Sequence, residues 1–436
     1  MIPIEDRFNH DAKSAGIQLF FIGLFSMTRI NLGGSIAISE LVLVACAPFV
    51  LMSKLNLIRR DGLFTLLFLS FLWLIGAVFS DAINKTYIPF ALKGIATPIV
   101  YFSSILCCYY LLKKDIQNIK WFVVGVALSY VVSTFVFQRA SAIGEDVYSE
   151  DALSATVGYK LYWIGLAAEF LLLPVKGWFL QTPMLYSLAA VGGMAMFSLL
   201  SGARSSFLCY AVSFVFVFFG KGITSRLDFI RRHFILICLI MLSAAFVTKK
   251  AYQYAAEQGL LGEDEYRKYE MQTREGSSPL QMIMSGRVEV FVSGYAALEA
   301  PFLGLGSWAL DYDNLYVDFL SRYGSEEDFK RAIKHLEKDN GIYKIPAHSH
   351  IMTFWMWHGI FGLLFWIYVI FLSIKTFRYN MQVVPSLFGY LSLTIPLFLW
   401  NVLFSPAGYR VAESVLMVVC VLLGEIAKQQ REIRVN

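Results

Sequence analysis

Four cationic side chains and two histidines are the groups in this sequence best suited to chemistry. Arg204 lies in Ser201-Gly202-Ala203-Arg204-Ser205-Ser206, Arg287 in Ser285-Gly286-Arg287, and His348 and His350 in Ala347-His348-Ser349-His350. Lys93 and Arg410 lie near the ends of apolar stretches. A guanidinium is a rigid fork of donors that fits a phosphate or pyrophosphate better than an ammonium does. The small residues around Arg204 let a ligand reach its side chain and the backbone amides that open the next helix, which is an anion-binding arrangement. Histidine, with a pKa of about 6.5, is a competent general base for a hydroxyl. The set points to a reaction on an anionic, phosphorylated substrate.

Each group also has a plainer reading. Arg204 alone could be a topogenic arginine, and Arg287 a surface residue paired with Glu289 or Glu299. Lys93 is costly in lipid unless it faces a cavity or snorkels outward, which makes it the best intramembrane site candidate, with Glu40 a weaker one. Arg410 and Glu413, three apart, are expected to satisfy each other across a helical turn, with Arg410 also a candidate for the site. A His-x-His pair can bind metal, but such a site wants a third ligand and a carboxylate, and the flanks offer hydroxyls and aromatics. Asp311-Tyr312-Asp313 is an Asp-x-Asp pattern able to hold a divalent ion, and it is common by chance. The favoured assignment is His348 as base, Ser349 and His350 as supporting or acceptor-side groups, and no metal.

These residues need elements to place them, and the elements belong to a membrane protein. Of 436 residues 57% are hydrophobic and 16% charged, with a mean hydropathy of +0.58, too little charge to cover a soluble protein of this size. About twelve spans of roughly twenty apolar residues are expected. They lie near 16–30, 36–53, 62–80, 89–112, 118–137, 158–173, 180–200, 205–220, 233–249, 357–375, 382–403 and 411–427, giving an all-α polytopic fold. Basic residues fall in alternate short loops, at Arg59 and Arg60, Lys113 and Lys114, Lys176, Arg231 and Arg232, Lys375, and Lys428. With the positive side inside, both termini are cytoplasmic.

The organisation is then residues 1–250 with nine spans, a helical insert over 251–346 on the outer face, and 347–436 with three spans. Residues 251–274 favour helix. Ser325-Glu326-Glu327-Asp328 reads as a capping box, and 286–300 as a helix closed by Pro301-Phe302-Leu303-Gly304-Leu305-Gly306. Residues 1–16 are too charged for a signal peptide, so the first span is expected to stay attached. The six cysteines, Cys46, Cys107, Cys108, Cys209, Cys238 and Cys420, all sit in apolar stretches and read as core residues. Without a basic tract interleaved with aromatics, nucleic acid is not an expected partner.

Three of these stretches together resemble one family. The small-residue turn around Arg204 is one. Gly286-Arg287 with the Pro301–Gly306 turn is the second. His348-Ser349, followed eleven residues later by Gly359-Ile360-Phe361-Gly362, is the third. In this order and on one face they resemble the bacterial O-antigen ligase and O-antigen polymerase superfamily of integral membrane glycosyltransferases. The resemblance implies a GT-C-like, inverting, metal-independent and cofactor-free enzyme of the bacterial inner membrane. Its donor would be a glycan on undecaprenyl pyrophosphate, and its acceptor a lipid-linked repeat unit or the lipid A core. Arg204 and Arg287 would clamp the pyrophosphate, and His348 would activate the acceptor on the periplasmic side. His350 departs from the commonest pattern and leaves the identity of the base open.

A transporter or flippase of a lipid-linked or anionic solute is the rival reading. Against it, no repeat relates the two halves, and only one half carries the insert.

Overall fold

The computed structural model describes residues 4–26, 28–31, 35–58, 62–135, 209–214, 288–323, 344–380, 383–406, 408 and 410–435, with isolated positions between 192 and 333. The chain forms two compact units. One comprises Met1–Val217, Ala297–Ala309 and Ala347–Asn436, and the other Phe218–Ala296 and Leu310–Pro346.

In the first unit the helices are α1 (Ile4–Leu24), α2 (Ile38–Ile58), α3 (Leu63–Ile83), α4 (Ile88–Leu112), α5 (Ile119–Phe135), α8 (His350–Lys375), α9 (Phe388–Phe404) and α10 (Arg410–Val435). A short antiparallel hairpin, β1 (Arg29–Asn31) with β2 (Ser35–Ala37), joins α1 to α2. The helices lie at the positions of predicted spans one to five and ten to twelve. Among the described residues α3, α4 and α8 are long and apolar enough to cross a membrane, and Ile38–Ser53, Ile116–Ser129 and Phe388–Phe404 are shorter apolar stretches. The protein is therefore membrane-embedded and mainly helical. Predicted spans six to nine fall almost entirely outside the described residues, as do the helix expected over 251–274 and the capping box at 325–328.

Several boundaries differ from the sequence reading. Helix α1 starts at Ile4, well before residue 16, because charged residues extend a helix beyond its apolar part at no cost. Helix α8 starts at His350, not near residue 357. Its early polar residues, Thr353 and His358, depress local hydropathy, yet both are buried. Helix α10 continues past residue 427 to Val435, and its last turns carry a Lys428–Glu432 pair at 3.9 Å.

Packing fixes the relative direction of the helices. Tyr101 on α4 reaches Glu413 on α10, and Tyr109 reaches Glu425 at 2.8 Å, so these two helices run parallel. Ser80 on α3 meets Trp357 on α8 and Gly76 lies against Phe361, so those two run antiparallel. Helices α1 and α5 run parallel and cross where Gly23 and Gly125 sit against the backbone of Phe122 and Phe20, the close approach that small residues permit between spans. At one end of the bundle Glu425 accepts from the Gly62 amide at 2.7 Å, satisfying a donor at the start of α3. The chemistry-bearing residues lie at the other end.

The second unit contains most of α6 (Val288–Glu299), whose last turn belongs to the first, and α7 (Leu315–Tyr323). Asp311 caps α7, accepting from the amides of Leu315 at 2.7 Å and Tyr316 at 3.0 Å. Tyr295 of α6 donates to Asp318 of α7 at 3.0 Å, and an isolated bridge joins Leu310 to Lys344.

Candidate functional site

One end of the first unit gathers helix termini, and the contacts that hold it are polar. Arg29, at the start of the hairpin, donates to the carbonyl of Gly408 in the α9–α10 link. Glu40, in the first turn of α2, accepts from Ala37 N at 2.9 Å and takes Arg410 in a two-pronged pair, Nε at 2.9 Å and Nη2 at 2.8 Å. The predicted Arg410–Glu413 pair is thus replaced. Arg410 goes to a carboxylate 370 positions away, because the start of α2 lies beside the start of α10.

Glu413 instead faces His350. Their Nε2–Oε1 distance is 2.9 Å, with side chains 1% and 5% exposed. The other imidazole nitrogen, Nδ1, lies 2.8 Å from the carbonyl of Ser405. A carbonyl only accepts, so Nδ1 carries a proton. The second carboxylate oxygen of Glu413 accepts from the Tyr101 hydroxyl. Ser349 caps α8 through the Met352 amide at 3.3 Å, and its hydroxyl donates to the Val402 carbonyl at 3.1 Å. Two successive residues, 349 and 350, are therefore bolted to the end of α9 and the start of α10. His348, one step earlier, is exposed.

A second buried chain of polar groups lies at the same end. The turn from Pro301 to Ala309 docks into a break in α8. At Gly359 the backbone takes φ 63° and ψ −149°, which leaves nearby carbonyls without helical partners. The amide of Leu305 takes the Met356 carbonyl at 2.7 Å, Gly306 the Trp357 carbonyl at 3.1 Å, and Ile360 gives its own amide to Phe302 O at 3.1 Å. The two glycine motifs read separately in the sequence are thus two halves of one joint. Helix α4 approaches so closely that a Cβ on Gly94 would lie 1.7 Å from Ser307 Oγ.

Within this joint Asp81 of α3 accepts from Ser307 N at 2.6 Å and from Ser307 Oγ at 2.9 Å. Ser307 Oγ lies 2.9 Å from His358 Nε2, and His358 Nδ1 accepts from Trp73 Nε1 at 2.8 Å. An indole N–H only donates, so the ring proton of His358 sits on Nε2 and points to Ser307, whose own hydrogen goes to Asp81. Every member is at most 5% exposed. Sequence reasoning did not find Asp81, Ser307, His358 or the Glu413–His350 contact. The one available signal was a charge, Asp81, inside a span that is otherwise free of charge.

Lys93, one residue before Gly94, is half-buried with its ammonium 6.0 Å from the Trp308 ring centre. Among the described residues it forms no ion pair. Trp308 has φ 52° and stacks on Trp357 at 4.4 Å, a backbone conformation uncommon outside glycine. Asp311, half of the Asp-x-Asp pattern, uses both carboxylate oxygens as a helix cap. Burial raises its pKa above the usual carboxylate value, and the two amide bonds pull it partly back. Arg204 and Arg287 lie outside the described residues.

Residues 189–367 match the family model described as O-antigen ligase, less than half of the chain but a stretch that holds all three motifs. The resemblance to the O-antigen ligase and polymerase superfamily holds there, and with it membrane glycosyl transfer of that general type. No curated protein and no solved structure gives a match.

Proposed function

We propose that the protein transfers a glycan from undecaprenyl pyrophosphate to a sugar hydroxyl on the periplasmic face of the inner membrane. The observation that carries this reading is the contrast within Ala347-His348-Ser349-His350. His350 is buried with both ring nitrogens engaged, whereas His348 is exposed beside it on the same rigid mount. A general base must present a ring nitrogen to an incoming hydroxyl, and of the two only His348 has a ring open to solvent.

In this reading His348 takes the proton of the acceptor hydroxyl as its oxygen attacks the anomeric carbon. The bond from that carbon to the pyrophosphate oxygen breaks on the opposite side, so the configuration inverts. Negative charge grows on the leaving pyrophosphate, where Arg204 and Arg287 supply hydrogen bonds and positive charge. Lys93, without a carboxylate partner among the described residues, serves the same anion. Arg410 is already neutralised by Glu40 and contributes at most a rim charge.

Repeat-unit polymerase is the favoured form, with O-antigen ligase its neighbour. Purified protein would be mixed with undecaprenyl-pyrophosphate-linked repeat units, with and without lipid A core. Lengthened lipid-linked chains from the donor alone support the polymerase. Product that requires lipid A core supports the ligase. Movement of the lipid across a vesicle bilayer with no new glycosidic bond would replace the enzyme with a transporter.

A further inference from the structure

We infer that Glu413, acting through His350, is a positioning residue for the His348 base; this rests on the transfer reading given above. Among the described residues Glu413 hydrogen-bonds to the exit turn through His350, and His350 has both ring nitrogens engaged by Glu413 and Ser405. Yet the pair is built with care. Glu413 Oε1 meets His350 Nε2 at 2.9 Å, its other oxygen takes the Tyr101 hydroxyl, and His350 Nδ1 gives its proton to Ser405 O at 2.8 Å. The edge of His350 rests on Trp366, 4.8 Å between ring centres at 75°.

The imidazole is thus held in its plane by two oxygens and across its plane by an indole. That fixes the backbone of residue 350 relative to α4, α9 and α10 together. Ser349 fixes only the link to α9 and the first turn of α8. Its serine tether cannot stop the turn from swinging about the Ser349–Val402 contact. The His350–Glu413 arm supplies the second point of attachment, and two points are what orient the residue that precedes them. The rest of the buried charge supports this. Arg410 makes its direct pair with Glu40, so the side chains that hydrogen-bond to Glu413 among the described residues are His350 and Tyr101.

Misplacing a catalytic group by about 1 Å costs on the order of 10²-fold in rate. Glu413→Ala should therefore lower kcat about a hundredfold while the KM for the undecaprenyl-pyrophosphate glycan stays within about threefold. Glu413→Gln keeps an oxygen for His350 and an amide for Tyr101, and should recover most of that loss. In a His348→Ala background, Glu413→Ala should cause no further loss in the residual rate, because a positioning residue has nothing left to position.

If Glu413→Ala yields too little folded protein, His350→Gln and His350→Asn give the same information. The first keeps a donor towards Glu413 and the second a donor towards Ser405, and each should lower kcat without raising KM. Equal losses in the wild-type and His348→Ala backgrounds, or a loss carried by KM, would overturn the inference. The transfer reading would still stand in that case. If His348→Ala itself turns over like the wild type, the transfer reading fails first.

Discussion

Two buried histidines eight residues apart on one helix sit in opposite settings, and the contrast separates chemistry from architecture. His358 is closed on all sides by Trp73, Ser307 and Asp81, a chain in which each donor finds an acceptor and the carboxylate is the terminus. It joins the Pro301–Ala309 turn to α3 and α8. His350 is also fully bonded, but it adjoins an exposed histidine and a pair of acidic and basic residues drawn from α2 and α10. A saturated chain that ends in the core explains a fold. A saturated chain whose next residue faces solvent explains how a reactive group is held.

The sharpest way to break this contrast is to remove one imidazole from each side. His348→Ala should lower turnover about a thousandfold, within the range for losing a general base, and leave thermal unfolding unchanged. His358→Ala should do the reverse. It orphans the Trp73 indole and removes the donor that Ser307 Oγ accepts from, so the protein unfolds earlier while its folded fraction keeps its turnover. Turnover normalised to folded protein, measured beside unfolding in detergent, distinguishes them. If His358→Ala lowers normalised turnover as much as His348→Ala, the division fails.

Next in size is the ion pair. Arg410→Gln leaves Glu40, 3% exposed, without its cation, a loss of about 3–5 kcal/mol for a broken buried pair. Replacing both partners with glutamine should recover much of it, since neither charge is then buried unpaired. Urea unfolding of the four proteins of that cycle gives the answer, and an additive result would mean that the two residues act separately. Asp81→Ala should cost a comparable amount, about 1–3 kcal/mol for each of the two Ser307 donors left unsatisfied. Unlike Glu413→Ala it should spare normalised kcat.

Among the described residues hydropathy located the apolar helices, because lipid selects side chains on every face of a span. The glycine motifs were also visible, including the turn at Gly304 and Gly306, since unusual backbone conformations demand that residue. Partners were not visible. Arg410 and Glu413 look like neighbours when only local spacing is considered, but the tertiary structure gives one to Glu40 and the other to His350. Nothing in Ala347-His348-Ser349-His350 says which imidazole points into the bundle, because that depends on where α9 ends and α10 begins. Asp81 sits two residues before the end of α3, where an acidic residue ordinarily reads as an interfacial terminus. Only the docked turn turns it into an anchor.

The smallest expected effect concerns a carboxylate outside the membrane helices that otherwise resembles Asp81. Asp311 also accepts from two donors of one short segment, the Leu315 and Tyr316 amides. Here burial outweighs those bonds and raises its pKa. A carboxyl whose folded pKa is raised stabilises the fold most when protonated, so its contribution is lost as pH rises through that pKa. Asparagine caps helices as well as aspartate does and carries no charge to bury. Asp311→Asn should therefore flatten the pH dependence of α7 and leave it equally or slightly more stable at neutral pH. Hydrogen exchange of the Leu315–Tyr323 amides between pH 4 and pH 7 measures this. Faster exchange in the variant at neutral pH would mean that the ionised carboxylate is the better cap.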